Sequence, residues 1–185
     1  MTIAKKAQEH IRKLCAKQEN IFGMEAYDHH FVSVVRYAKQ LAKKTNANKE
    51  IVEVSAWLHD VGSVLGDYKN HHITGAKYAG KFLEKNNYPK EKIEAVQHCI
   101  MAHRGSKQIP RKTIEAKCLA DADAMAHFDQ VGSLFSLAMK THHMSVPEAE
   151  KFILAKLQRS YKKLTPRAKK IVAEKYRATK ILLKR

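Results

Sequence analysis

Histidines and aspartates are the residues of this chain whose types and spacing suggest chemistry. Eleven histidines occur among 185 residues, and the informative ones, His30, His59, His72, His98 and His103, are spread over several predicted helices. Asp60 follows His59 directly, and Asp121-Ala-Asp123 comes later in the chain. Neutral imidazoles and carboxylates are the ligands that borderline first-row metals accept, and the interior of a helix bundle is where ligands from several helices can meet.

His59-Asp60 is the strongest single element. Neighbours on a helix point about 100° apart, so both can serve one ion only beside a helix end, and Gly62 marks such an end. The preceding segment, 51–58 with Trp57, is strongly apolar. A charged aspartate at the edge of a core is costly unless it is paired or metal-bound. By contrast, His98 reads as a partly buried, hydrogen-bonded histidine, and His10, His127, His142 and His143 as surface or helix-face residues. Met125, Met139 and Met144 read as core filling. No Gly-x-Ser-x-Gly, His-Glu-x-x-His or Cys-His setting offers a competing hydrolase nucleophile.

The elements that must position these groups are helices. Apolar residues recur at steps of three and four almost throughout, alternating β-branched runs are scarce, and seven glycines and four prolines leave few breakers. The expectation is an all-α, single-domain helical bundle over 1–185 with about seven or eight helices. Segments 34–44 and 153–163 favour helix intrinsically and carry an apolar stripe. Asn87-Tyr88-Pro89 separates two helices, and Ser145-Val146-Pro147-Glu148 and Thr165-Pro166 each read as a polar cap followed by a first-turn proline. Two loops, 61–71 and 104–111, follow directly on histidines, a placement that suits a site carried on a rigid scaffold.

Bulk properties bound the class. A composition 44% hydrophobic and 29% charged is that of a globular chain. Cys15, Cys99 and Cys118 form no Cys-x-x-Cys pair, so neither a disulfide framework nor a thiolate zinc site is indicated, and Cys99 and Cys118 read as small buried hydrophobes. With no apolar leader and no membrane-length apolar run, a cytoplasmic protein without membrane insertion is expected. The net charge of +17 attracts nucleotides, nucleic acid or other polyanions. Many of its lysines lie in the first helix and in a basic C-terminal helical extension, about 145–185, where the simplest reading is a solvated helix face.

The order His30, Ala56-Trp-Leu-His59-Asp60-Val-Gly62, His72 with Gly75-Ala76, His103 and Ala122-Asp123-Ala124-Met125 resembles the HD-domain superfamily of metal-dependent phosphohydrolases over about 25–130. The resemblance implies metal ligands at His30, His59, Asp60 and Asp123, with Asp121 orienting. It implies a catalytic part for Asp60, His72 and His103, the two histidines filling the places of a second metal's ligands. His29 and His71 leave a register ambiguity. His30 is preferred because Val34, Ala38 and Leu41 follow as its helix's buried face, and His72 for its spacing from Gly75-Ala76. Where many members have arginine three residues after the first histidine, this chain has Ser33.

The implied cofactor is one or two divalent ions, Mn, Fe, Zn, Ni or Co, with Mg a further choice. The implied reaction is attack of metal-activated water on phosphorus. With no Gly-x-x-x-x-Gly-Lys loop to cradle phosphate, side chains must do so, and Arg104, Lys107, Lys69 and Lys77 are the candidates. The expected substrate is a small phosphorylated molecule, a nucleotide by preference. Two alternatives remain open: a non-catalytic nucleotide- or nucleic-acid-binding module of the same fold, and a di-iron oxygenase-like member.

Overall fold

Helix starts in this protein are written in polar caps. Thr2 accepts a hydrogen bond from the Lys5 amide at the head of α1 (Ile3–Cys15). Asn48 accepts from Glu50 and Ile51 at α4 (Lys49–Leu58), and Thr113 from Ala116 at α8 (Ile114–Ala126). Such caps satisfy amides that the first helical turn leaves without partners. Ser145 and Glu148 form the capping box of α10 (Val146–Lys163), with Pro147 in its first turn. Thr165 precedes Pro166 at the start of α11 (Pro166–Leu183).

The remaining helices are α2 (Gly23–Glu25), α3 (Val32–Lys43), α5 (Val61–Val64), α6 (His71–Lys85), α7 (Lys90–His103) and α9 (Val131–Ser136). A π-helical turn, Ala26–Phe31, leads into α3, and a second, Leu137–Thr141, follows α9. This computed structural model describes residues 1–20, 22–105 and 109–183, and no strand occurs among them. The fold is all-α, as the periodicity requires. The expected loop at 61–71 is partly helical, because α5 occupies its first four residues. No helix among the described residues is long and apolar enough to cross a membrane.

α4 and α8 form the centre. Val52, Val54, Ala56 and Leu58 of α4 are fully buried, as are Leu119, Ala122 and Met125 of α8. A helix apolar on most of its surface must be covered on most sides, and α3, α4 and α7 pack around α8. α6 lies along α7, and α5 along α6.

The contact between α5 and α6 is unusually close. A Cβ added at Gly62 would stand 2.5 Å from the His71 carbonyl oxygen and 2.8 Å from its Cα, and one at Gly75 would stand 3.3 Å from the Gly62 nitrogen. Two glycines therefore let the start of α6 press against the helix end that carries His59 and Asp60.

The C-terminal pair is tied down by two aspartates. Asp121 accepts hydrogen bonds from the Thr165 amide and hydroxyl where α10 meets α11. Asp129 pairs with Arg36 of α3 and Lys175 of α11 and accepts from the Tyr37 hydroxyl.

Candidate metal centre and its cleft

Six side chains from five segments meet at the floor of one cleft. The first π-helical turn supplies His30, the end of α4 supplies His59 and Asp60, the start of α6 supplies His71, the end of α7 supplies His103, and α8 supplies Asp123. Helix ends and a π-helical turn are where side chains leave the regular stripe, and π-turns recur at functional sites for that reason.

Asp60 stands at the centre and divides its two oxygens between two groups. Oδ2 lies 3.4 Å from His30 Nε2 and 3.6 Å from His59 Nε2. Oδ1 lies 3.5 Å from both His71 Nε2 and His103 Nε2. Asp123 Oδ1 completes the first group at 3.6 Å from His30 and 4.0 Å from His59. Ligand atoms of His30, His59 and Asp60, and separately of Asp60, His71 and His103, lie within 4.8 Å of one another.

Every imidazole of this cluster has its Nδ1 held by an oxygen that can only accept. His59 donates to the Ala56 carbonyl at 2.9 Å, His71 to Tyr68 at 2.8 Å and His103 to Ile100 at 2.6 Å. His30 donates to Gln130 Oε1 at 3.3 Å, and that amide is itself oriented by donation from its Nε2 to the His29 carbonyl. Each proton therefore sits on Nδ1 and each lone pair on Nε2 faces inward, the tautomer that outer hydrogen bonds impose on metal-binding histidines.

Two observations ask for positive charge at the centre. His30 Nε2 and His59 Nε2 approach to 3.0 Å although, in this tautomer, neither can donate. Asp60 Oδ1 is buried and has no hydrogen-bond partner, a costly state for a carboxylate oxygen unless a cation satisfies it. The donor set of nitrogen and carboxylate oxygen fits a borderline divalent metal.

The charges respond accordingly. Burial pulls the His59 pKa down to about 4, so this imidazole is neutral at pH 7. Asp60 is held well below the carboxylate range: burial would raise it, but His59, His103 and His30 together outweigh burial. Asp123 falls to about 2 in the same way, with His127 the largest of the histidine influences. Burial would lower His30 and His103, but the Asp60 carboxylate beside them reverses the sign and raises both. A proton and a divalent cation therefore compete for the same inward-facing nitrogens.

Of the residues singled out in the sequence, His30, His59, Asp60, His103 and Asp123 meet here. His72 does not, and the register preferred from Gly75-Ala76 is corrected: His71 faces Asp60, while His72 turns into the packing of α6, where its Nδ1 meets the Arg104 guanidinium at 3.2 Å. Arg104 lines the cleft and donates to the Lys69 carbonyl. Lys69 and Lys77 are exposed and their side chains do not line the cleft. Lys77 falls on the outward face of α6 with Ile73 and Lys81. Lys107 lies outside the described residues.

Ser33 opens on a separate shallow groove between α3 and α11. His98 accepts a hydrogen bond from the Lys112 amide at 3.2 Å. His10 is not a surface residue: it stacks on Phe82 and meets the Tyr78 hydroxyl at 2.7 Å.

Two residues were missed. His127, read as a surface histidine, lines the cleft one helical turn after Asp123, 4.0 Å from its Oδ1 and 3.0 Å from the Ser160 hydroxyl. Its i, i+4 spacing from Asp123 was the available signal. Gln130 had no comparable signature.

The cleft has a volume of about 640 Å³, within the range of small-molecule sites. Phe22 and Tyr68, with ring centroids 6.2 Å apart, stand on one wall. Leu134 and Leu137 also line it.

Comparison with known proteins gives a family and a fold. The family model described as HD domain matches residues 27–127, a stretch that holds all six clustered side chains. An uncharacterized protein of Clostridium beijerinckii is 35% identical over 83 residues, 42% of this chain and 52% of that protein, so the chain spans about half the length of this relative. The Lin1889 protein of Listeria innocua, known from its crystal structure, superposes with a TM-score of 0.72 over 98% of this chain and 91% of its own at 18% identity, a likeness of fold.

Proposed function

The chain belongs to the HD-domain family, and from that premise we propose that it is a metal-dependent phosphohydrolase acting on a nucleotide or a related phosphate ester. The observation that carries this reading is the central placement of Asp60 between two pairs of histidines. One oxygen faces His30 and His59, and the other, buried and without a hydrogen-bond partner, faces His71 and His103. His30, His59, Asp60 and Asp123 would hold one divalent ion, and Asp60, His71 and His103 would offer places for a second. Such an ion supplies Lewis acidity, polarising a phosphoryl oxygen and lowering the pKa of water to ~7.

The chain's own groups do the rest. Gln130 keeps His30 in the ligating tautomer. Arg104, steadied by the Lys69 carbonyl and His72, presents its guanidinium at the wall beside His103, where a phosphoryl group entering the cleft meets a planar cation suited to it. Phe22 and Tyr68 provide aromatic surface for a base, which is what favours a nucleotide over a compact sugar phosphate.

Phosphate and pyrophosphate release from a nucleotide panel with Mn²⁺, Mg²⁺, Zn²⁺, Ni²⁺ or Co²⁺, comparing wild type with Asp60→Ala, tests the reading. Metal-dependent release that the substitution abolishes is expected. Metal bound without release from any phosphate ester refutes it, and iron-loaded, coloured protein that consumes oxygen would put the oxygenase alternative in its place.

A further inference from the structure

The cleft carries a second charged feature, on a helix outside the stretch that the family model matches. α10 turns Lys156, Arg159 and Lys163 into it, at steps of three and four that set them on one helix face. Lys140, at the end of the second π-helical turn, stands on the same lining. This stripe belongs to the basic extension whose simplest reading was a solvated face, but here part of that face forms a wall of the site.

Lys156 is the most telling of these. It is half-buried and forms neither a hydrogen bond nor an ion pair with any described residue. Burial depresses its pKa, while Asp123 and Asp60 push it back up, so its ammonium feels both carboxylates of the metal centre without touching either. Lys163 reaches the other way, its ammonium lying against Gly105 in the loop after α7. The row of cations therefore runs along one wall of the cleft, from Lys156 to the loop that follows His103 and Arg104. Glu25 is the only further acid among the described lining residues.

A partly desolvated lysine with no carboxylate in direct contact gains when an anion reaches it. A single phosphoryl group at the metal centre would be met by a bound cation and by Arg104, leaving Lys156 and Arg159 for further anionic groups. A second and third linked phosphoryl group would lie along that row. We propose that Lys156, Arg159 and Lys163 form a subsite for the additional phosphoryl groups of a phosphoanhydride, so that the ligand of this cleft carries two or more linked phosphates. Its status as substrate rests on the phosphohydrolase reading.

Calorimetric titration of the metal-containing protein with methylenediphosphonate and with methylphosphonate tests the subsite without hydrolysis and without any base. A charge-assisted hydrogen bond is worth at least about tenfold in affinity, so wild type should prefer the diphosphonate by that factor or more. Lys156→Gln/Arg159→Gln should lose the preference while retaining its metal content and helical circular dichroism. No preference in wild type, or a preference that survives in the double variant, overturns the proposal.

Methylene-bridged ADP then separates the sources. Tighter binding than methylenediphosphonate points to a nucleotide, and equal binding to a phosphoanhydride recognised without a base. A Lys156-dependent preference in a protein that hydrolyses no phosphate ester would leave the subsite standing and remove the hydrolase reading. Hydrolysis without the preference would do the reverse.

Discussion

Substituting Gly62 by alanine probes how the fold builds the site. The added methyl would stand 2.5 Å from the His71 carbonyl oxygen, 2.6 Å from Thr74 Oγ1 and 2.8 Å from His71 Cα. Two of the three are backbone atoms of one residue, so no rotamer change relieves the clash, and α5 and α6 must separate by roughly 1 Å to restore ordinary contact distances. Overpacking of this kind costs about 1–3 kcal/mol, which for a chain of this size lowers the Tm by roughly 2–12 °C.

The same movement carries His71 away from Asp60 Oδ1, now 3.5 Å distant, and so loosens the second group of ligands while leaving His30, His59 and Asp123 in place. Thermal unfolding together with metal analysis reads both effects. A lowered Tm with selective loss of the more weakly held ion is expected. Gly75→Ala is the control: its nearest contact is 3.3 Å, and the gain in helix propensity, about 1 kcal/mol, offsets a shift of a few tenths of an ångström. A Gly62→Ala protein with wild-type Tm and metal content would refute the argument that close approach of α5 and α6 positions His71.

Other predictions follow from the same geometry. His71→Ala should reduce metal content, whereas His72→Ala should keep it and weaken phosphate binding through the unsettled Arg104 guanidinium; equal metal loss in both would contradict the register described above. Gln130→Leu removes the acceptor that orients His30, and chelator competition should show metal affinity reduced about 10–100-fold; unchanged affinity would mean that the tautomer is set elsewhere.

At the opposite end of α4, the Lys92 ammonium and then the Tyr88 hydroxyl hold the Glu50 carboxyl below its ordinary range. The stability this gives is present above the unfolded pKa and is lost as pH falls through the folded one. The stability deficit of Glu50→Gln, under about 1 kcal/mol for so exposed a pair, should therefore hold from pH 7 down to about 4.5, the unfolded value, and shrink below it, and a deficit that stays constant into that acid range would count against the ion pair.

How much of this was legible in the sequence depended on whether the signal was local. Caps at Asn48, Thr113 and Ser145 act within one turn, and helical periodicity needs no knowledge of the partner helix, so the all-α class and the boundaries near Pro147 and Pro166 were readable. Asp60 was readable because a charge beside an apolar run is expensive wherever the chain goes.

The His71/His72 choice was not. The apolar stripe of α6 includes His72, Ala76, Ala79 and Leu83 and identifies the buried face correctly. The metal centre, however, lies at the margin of the core beyond the helix's first turn, within reach of the less buried His71. Burial and proximity to the site are different properties there, and only the α5–α6 contact separates them. Lys156 was hidden for a related reason: within a run of lysines, sequence does not tell which one faces a cleft made by distant segments. Gln130 acts on His30 across 100 residues of chain and carries no motif.

The most direct test of the central claim is to carry out the reaction in ¹⁸O-labelled water with metal-loaded protein, a responsive phosphate ester or anhydride, and ³¹P detection of the product. Attack of water on phosphorus at the Asp60 centre predicts label in a released phosphoryl product, with neither label nor release from Asp60→Ala or from chelator-treated protein. Release without label in any phosphoryl product, or labelled release that persists in Asp60→Ala, would contradict the account.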